Sequence, residues 1–392
     1  MNKNKWLIAL SAVALHVSIG SVYAWSVLAK PLMTVLDCTL REVTGVFSVA
    51  ILFLGTSAGL LGNTVERLGP RKAAVLATVL FNAGLLGAAL AVHVHSLPLL
   101  YLTYGCIGGA GLGVGYIAPV STLVKYFINQ RGLATGMAIM GFGFAATLAA
   151  PVLQWLTVDY GVITAFLVSA TVYTVLMACA AAYIDRPRTT SGQVVIGKGV
   201  DTATAVRTWR FALLWLTFFL NITAGIGLLA VASPMAQETV GMSAVAAAAL
   251  VGFIGLINGG GRFIWASSSD RIGRRWSYAS LFVLELAAFM VLGNVHDEWV
   301  FRVAVSTVVF CYGGGFALMP AYLSDLFGTK CLSAIHGRVL TAWGAAGVAG
   351  PTLIAVCHDN GMGYSVVMYI LAVCMVVSLL CASTLALAKP VK

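Results

Sequence analysis

From Trp6 onward the chain returns repeatedly to apolar runs of about 20 residues, the length a helix needs to cross the hydrocarbon core of a bilayer. This feature constrains the fold more than any motif does. Only 9% of the 392 residues are charged and 60% are hydrophobic. A chain that faces water carries roughly 25% charged residues. Most of this surface must therefore meet lipid, where every backbone polar group has to be satisfied within the chain and helices are the natural solution. Such runs lie at about 6–28, 42–63, 73–94, 99–126, 132–157, 162–184, 209–235, 244–268, 276–294, 299–326, 337–358 and 363–388, about twelve in all. Lys3 and Lys5 before the first run imitate a signal peptide. The run continues past Trp25 without a small-residue cleavage site, so it is read as a retained first span.

A formal net charge of +10 raises the possibility of nucleic acid, but no basic patch interleaved with aromatics occurs on a soluble domain. The cations instead fall in alternate loops, at 3–5, 67–72, 125–131, 186–210, 271–275, 330–338 and 389–392. Lys30, Arg41 and Arg302 fall on the opposite side, with Asp37, Glu42, Asp159, Glu238, Asp297, Glu298 and Asp359. Lysine and arginine mark the cytoplasmic side. The expectation is a multi-pass protein of a bacterial-type inner membrane, monomeric, with both termini cytoplasmic. The 8 cysteines are scattered without a CxxC, which gives neither a disulfide framework nor a metal site.

One polar stretch, 185–208, contains Pro187, Ser191 and Gly192, a composition unsuited to a packed core. It divides the chain into 1–184 and 209–392, two bundles of about six spans each that echo one another as transporter repeats do. Glu66-Arg67-Leu68-Gly69-Pro70-Arg71-Lys72 follows the second span, and Asp270-Arg271-Ile272-Gly273-Arg274-Arg275 follows the eighth. Gly113 precedes Pro119, and Gly314 precedes Pro320, at the same spacing in the fourth and tenth spans.

Those two tracts resemble the loop signature of the major facilitator superfamily. The resemblance implies an all-α fold of two pseudo-symmetric bundles and a cytoplasmic gate made of Glu66, Arg67, Arg71, Asp270, Arg271 and Arg274. Pro70 interrupts the first basic pair, so the first latch is expected to be the weaker. Four blocks, at 18–31 (SIGSVYAWSVLAKP), 125–136 (KYFINQRGLATG), 258–273 (NGGGRFIWASSSDRIG) and 316–328 (FALMPAYLSDLFG), resemble the oxalate/formate antiporter family.

Arg262 is the sharpest functional signal. It stands eight residues before Asp270, about 12 Å in from the helix end at 1.5 Å per residue. A charge that deep costs about 2.5–3.5 kcal/mol even on the lenient insertion scale and marks a functional site by default. A guanidinium offers a carboxylate a bidentate fork, which favours an organic anion as cargo. The competing reading is an internal ion pair, with Glu285 as partner. The resemblance also implies that Arg262 contacts substrate, with Asn258 one turn before it. In oxalate exchangers of the family a lysine in the eleventh span completes the clamp, and here Trp343 holds that place. A single fixed cation suits a monocarboxylate of the formate, lactate or pyruvate class better than a dianion.

Tyr23, Tyr116, Phe142, Tyr312 and Phe316 resemble the family's aromatic substrate cage. Ordinary helix packing is the alternative for any one of them. His16, two turns before Tyr23 on the same face, and Glu285 are candidates for proton coupling. The partners expected are a small organic anion, protons or a counter-transported anion, and lipid. No cofactor or metal is called for: His93 and His95 are two ligands without a third. The glycine-rich run 108–115 sits inside a span, where it serves close helix packing rather than a dinucleotide. No nucleophile–base–acid arrangement points to an enzyme, and paired repeats argue against a channel. A dicarboxylate exchanger and a drug or neutral-solute exporter are the alternatives within the fold.

Overall fold

The apolar runs become long helices in the computed structural model, which describes residues 3–188 and 197–385. In chain order they are α1 (Lys5–Gly20), α2 (Trp25–Leu36), α3 (Leu40–Leu68), α4 (Pro70–His93), the short α5 (Leu97–Leu100), α6 (Gly109–Tyr126), α7 (Arg131–Tyr160) and α8 (Val162–Tyr183). The second half holds the short α9 (Thr202–Val206), then α10 (Trp209–Val240), α11 (Ala244–Ile272), α12 (Arg274–Leu292), α13 (Glu298–Phe327), α14 (Leu332–Asp359) and α15 (Tyr364–Leu385). Among the described residues 11 helices are long and apolar enough to cross a membrane; α14, with 28 residues, is the remaining long one. Ser191, Gly192, Lys389 and Lys392 lie outside the described residues, as do the side chains of Lys30, Arg41, His358 and Asp359. Large apolar side chains face outward, Leu60 at 73% and Trp299 at 75% exposure, as lipid-facing helices require.

Polar caps mark where the chain leaves the apolar layer. Asn4 accepts from the Trp6 amide at 2.9 Å, and Thr39 and Glu42 form a reciprocal capping box that starts α3. Asp297 accepts from Val300 at 2.9 Å to start α13. Each cap satisfies an amide that the helix leaves unpaired. The same left-handed kink, Gly69 at φ 81° and Gly273 at φ 90°, ends α3 and α11. A glycine is needed at both turns, and this is the structural content of the repeated loop tract.

Two spans are less regular than their hydropathy implies. The first breaks into a 3-10 turn at Ser21–Ala24 and then runs on as α2 to Leu36. At the break Gly20 lies against α7, where a Cβ would come within 2.7 Å of the Phe142 backbone. The fourth begins as a π-helical segment, Tyr101–Gly108, before α6. The described end of the polar stretch, 197–208, is also more ordered than its composition implies. Lys198 accepts from the Thr329 amide at 2.8 Å and the Val200 amide donates to Phe327 at 3.1 Å. Thr202 reaches back to Asn63 at 3.1 Å. Asp201 caps α9 by accepting from the Thr204 amide at 2.7 Å, and that bond holds its carboxyl below the usual carboxylate range.

The first and second halves meet along two helix pairs, α3 with α14 and α7 with α11. Glycines bring the backbones together. A Cβ on Gly55 would lie 2.7 Å from the Leu340 carbonyl, and one on Gly143 would lie 2.7 Å from the Gly259 Cα. Between these two pairs sits the polar centre of the molecule.

Candidate functional site

Arg262 is 0% exposed and projects from the interior of α11 toward α7 and α13. Its Nε donates to Asn258 Oδ1 at 2.8 Å, one helical turn away. Its Nη1 and Nη2 have no hydrogen-bond partner among the described residues. The guanidinium lies between two aromatic faces, with Cζ 4.8 Å from the Phe316 centroid and 5.7 Å from that of Phe142. Phe142 comes from the first half and Phe316 from the second, so one cation is held by rings from both. Cation–π contacts of this kind contribute about 0.5–2 kcal/mol, which leaves the donors of the fork uncompensated. No carboxylate pairs with Arg262 among the described residues.

The expected aromatic cage assembles as one cluster around that fork. Tyr23 meets Phe142 edge-on at 5.0 Å, and Tyr116 meets Phe142 at 5.5 Å. Trp343 closes the other side, 4.7 Å from Phe316, 5.3 Å from Tyr116 and 5.5 Å from Phe142. Tyr312 packs on Phe316 at 5.3 Å. The hydroxyls of Tyr23, Tyr116 and Tyr312 and the indole nitrogen of Trp343 are buried without a partner among the described residues. Each such group costs about 1–3 kcal/mol if left unpaired in a dry interior. Donors so concentrated around a cation form an arrangement that an anion completes.

The two other ionisable candidates fall elsewhere. Glu285 of α12 is buried, but its Oε2 accepts from Asn221 Nδ2 at 2.9 Å, inside the second half. It is thus not the partner of Arg262, and the internal ion pair does not form. His16 donates from Nδ1 to the Ala12 carbonyl, 3.0 Å away, and packs on Tyr116 at 5.1 Å. His336 of α14, whose place beside a basic loop gives it no signal in the sequence, lies on Tyr116 as well, at 5.9 Å.

One end of the helices, the basic end, is closed by contacts between the halves. Asp270 accepts from the Gly132 and Leu133 amides at 2.8 and 2.9 Å, the first turn of α7, and from Arg274 at 2.7 Å. Glu66 mirrors it, accepting from the Ser333 amide in the first turn of α14 at 3.1 Å and from Lys125 at 2.6 Å. Carboxylates suit helix N-termini because the free amides and the helix dipole both favour negative charge. Arg274 and Arg131 then converge on Asp325, each at 3.0 Å, and Ser121 bonds Ser333 at 2.6 Å.

Three of the expected gate arginines, Arg67, Arg71 and Arg271, are exposed and outside this network. Arg67 and Arg271 follow their acids directly, so they point about 100° away on the helix. Arg274, the first residue of α12, meets Asp270 across the Gly273 turn; the matching first residue of α4 is Pro70, which carries no charge, and Glu66 pairs with Lys125 instead. Lys125, Arg131 and Asp325 stand in the quoted sequence blocks, but their meeting across the halves depends on the tertiary arrangement.

Three comparisons bear on this architecture. The family model described as Major Facilitator Superfamily matches residues 9–351 and 214–392. The chain is 29% identical to the oxalate:formate antiporter of Oxalobacter formigenes, over 91% of this chain and 86% of that one. It is 24% identical to apicoplast pyruvate carrier 1 of Toxoplasma gondii, covering 86% and 81%. Among solved structures, the fucose:proton symporter of E. coli superposes with a TM-score of 0.77 at 14% identity, covering 98% of this chain and 100% of that one.

Proposed function

We propose, for a chain that belongs to the Major Facilitator Superfamily, that it carries a small monocarboxylate of the formate, lactate or pyruvate class across a bacterial-type inner membrane. The observation that carries this reading is the fork of Arg262, buried, free of any carboxylate among the described residues and ringed by unpartnered hydroxyls. A carboxylate would take the two Nη groups side by side, the geometry in which charge-assisted hydrogen bonds are strongest. Tyr23, Tyr116 and Tyr312 would donate to its outer lone pairs, and Phe142, Phe316 and Trp343 would exclude water. A cationic drug would meet a like charge here, and a neutral sugar would leave the guanidinium unpaired.

Transport follows as alternating access, the two halves rocking about a site they share. The cation-rich loops support an orientation with the basic end, and both termini, in the cytoplasm. With the site filled, Arg262 and a monoanion sum to neutrality and the halves can close over them. With it empty, closure traps an uncompensated charge, which is strongly unfavourable. That asymmetry favours exchange over net flow. The pyruvate carrier and the oxalate:formate antiporter among the relatives support an organic anion.

The test is uptake into proteoliposomes against a panel of formate, lactate, pyruvate and oxalate, with and without a pH gradient. Arg262→Gln is expected to abolish exchange, a drop of 100-fold or more, with an unchanged elution profile and melting temperature. Uptake at the unsubstituted protein's rate in that variant would remove Arg262 from binding and the anion assignment with it.

A further inference from the structure

Two buried histidines from opposite halves face the same tyrosine. His16 on α1 and His336 on α14 are 0% and 1% exposed. Their rings lie 5.1 and 5.9 Å from that of Tyr116. Both ring nitrogens of His336 have no hydrogen-bond partner among the described residues, and His16 Nε2 and the Tyr116 hydroxyl make no close, well-aligned one. Imidazoles held only for packing would be expected to have their nitrogens satisfied, because burying them unpaired costs free energy that a phenyl ring of similar size would not. Tyr116 also touches Trp343 and Phe142, so the pair stands one ring away from the cage around Arg262.

We propose that His16 and His336 form a proton-dependent second cationic site, which admits a small dicarboxylate dianion beside Arg262 when one imidazole is protonated. The inference rests on the carboxylate reading given above and extends it to cargo selection. Charge counting carries it. Arg262 alone balances a monoanion, whereas a dianion leaves one negative charge in a dry interior, where unpaired charge is most costly. Phe142 touches both the guanidinium of Arg262 and Tyr116, and Tyr116 touches both imidazoles, so the pair lies within electrostatic reach of the fork. An imidazolium beside an empty Arg262 faces a like charge; beside an Arg262 that holds a dianion it faces a net negative one. Dianion and proton therefore favour each other's binding, and by linkage each raises the other's affinity by the same factor. A monoanion needs no such proton.

Tyr23 lies in the Ser21–Ala24 turn after α1, and α14 itself carries Arg338 two residues from His336. α6 contributes Tyr116 and, at its basic end, Lys125; α3 contributes Glu66, and α7 contributes Arg131, both at their basic ends. α13 carries Cys311, Tyr312, Tyr322 and Asp325, α10 carries Arg210, α8 carries Tyr173, and α15 carries Cys374 and Cys381. Among the described residues, Tyr116 makes ring contacts with both imidazoles.

The experiment compares exchange of labelled oxalate and labelled formate in proteoliposomes at about pH 7.5 and about pH 5.5, either side of the ordinary imidazole range. Oxalate keeps both carboxyls ionised throughout, so any change belongs to the protein. In the unsubstituted protein the oxalate-to-formate rate ratio is expected to rise tenfold or more toward the acid side. In the His16→Gln/His336→Gln double variant the ratio should stay within about twofold, while continued formate exchange shows that the variant is folded. A second measurement needs no variant: in weakly buffered detergent solution, oxalate binding should take up a proton and formate binding should not. A flat ratio in the unsubstituted protein, a full acid rise in the double variant, or oxalate binding without proton uptake would each overturn the proposal. Formate exchange alongside any of these leaves the monocarboxylate reading intact. No exchange of formate, lactate or pyruvate at either pH would sink that reading, and this one with it.

Discussion

A guanidinium clasped between two phenyl rings differs from an ammonium in shape as much as in charge. Arg262 uses its flat faces against Phe142 and Phe316 and one edge against Asn258, which leaves the Nη edge directed at the cage. Arg262→Lys keeps the charge but loses the fork, the stacking and the Asn258 bond. It is expected to lower kcat/KM for carboxylate exchange by about 10- to 100-fold, a loss of about 1.4 kcal/mol per decade. Concentration-dependent initial rates check this, and a change below threefold would mean that charge alone suffices. Arg262 was legible in the sequence because a charge within an apolar run stands out against its neighbours. His336 was not: it lies between Lys330 and Arg338, near enough to a basic loop to read as a surface residue. Glu285 is the converse, conspicuous in the sequence yet taken up by Asn221 through helix orientations that no linear pattern displays.

At the level of elements, α7 and α11 approach so closely at Gly143 that nothing larger fits without displacement. A Cβ there would lie 2.7 Å from the Gly259 Cα and 3.1 Å from the Arg262 Cδ. Gly143→Val is therefore expected to force the pair apart and push Arg262 off its stacked position. Overpacking of this kind costs about 1–3 kcal/mol, enough to shift a two-state balance by about 5- to 150-fold. Spin labels at the basic ends of α7 and α11 should report a longer mean distance, with exchange reduced in parallel. An unchanged distance would mean that the helices absorb the methyl groups without separating. The spans themselves were legible from hydropathy, since lipid leaves helices little alternative. The 3-10 break after Gly20 and the π segment before α6 were not. At both places glycines admit a neighbouring helix, and which helix arrives is decided far away in the chain. The gate arginines show the same limit, because the repeated tract names the acids but not the helix face on which each cation falls.

For the molecule as a whole, the proposed alternating access requires the basic end to open without unfolding either half. Besides the Arg131–Asp325 bridge, two acids at that end each reach from one half to a helix start in the other, Glu66 to α14 and Asp270 to α7. They are not equal. Asp270 accepts two amides and Arg274 with its side chain 13% exposed, whereas Glu66 accepts one amide and Lys125 at 20% exposure. Hydrogen bonds to a charged group contribute about 1.5–3 kcal/mol when buried, and solvent at these partly open positions reduces that. Asp270→Asn should therefore open the basic end more than Glu66→Gln. The two substitutions also test whether the halves move as bodies. If they do, removing either acid lengthens the spin-label distance across both pairs, α3 with α14 and α7 with α11, because both pairs join the same two bodies. If each variant widens only its own pair, the latches are local clasps and the motion bends helices rather than rocking halves. We expect the joint response, with the Asp270→Asn/Glu66→Gln double variant showing the largest open fraction across both pairs.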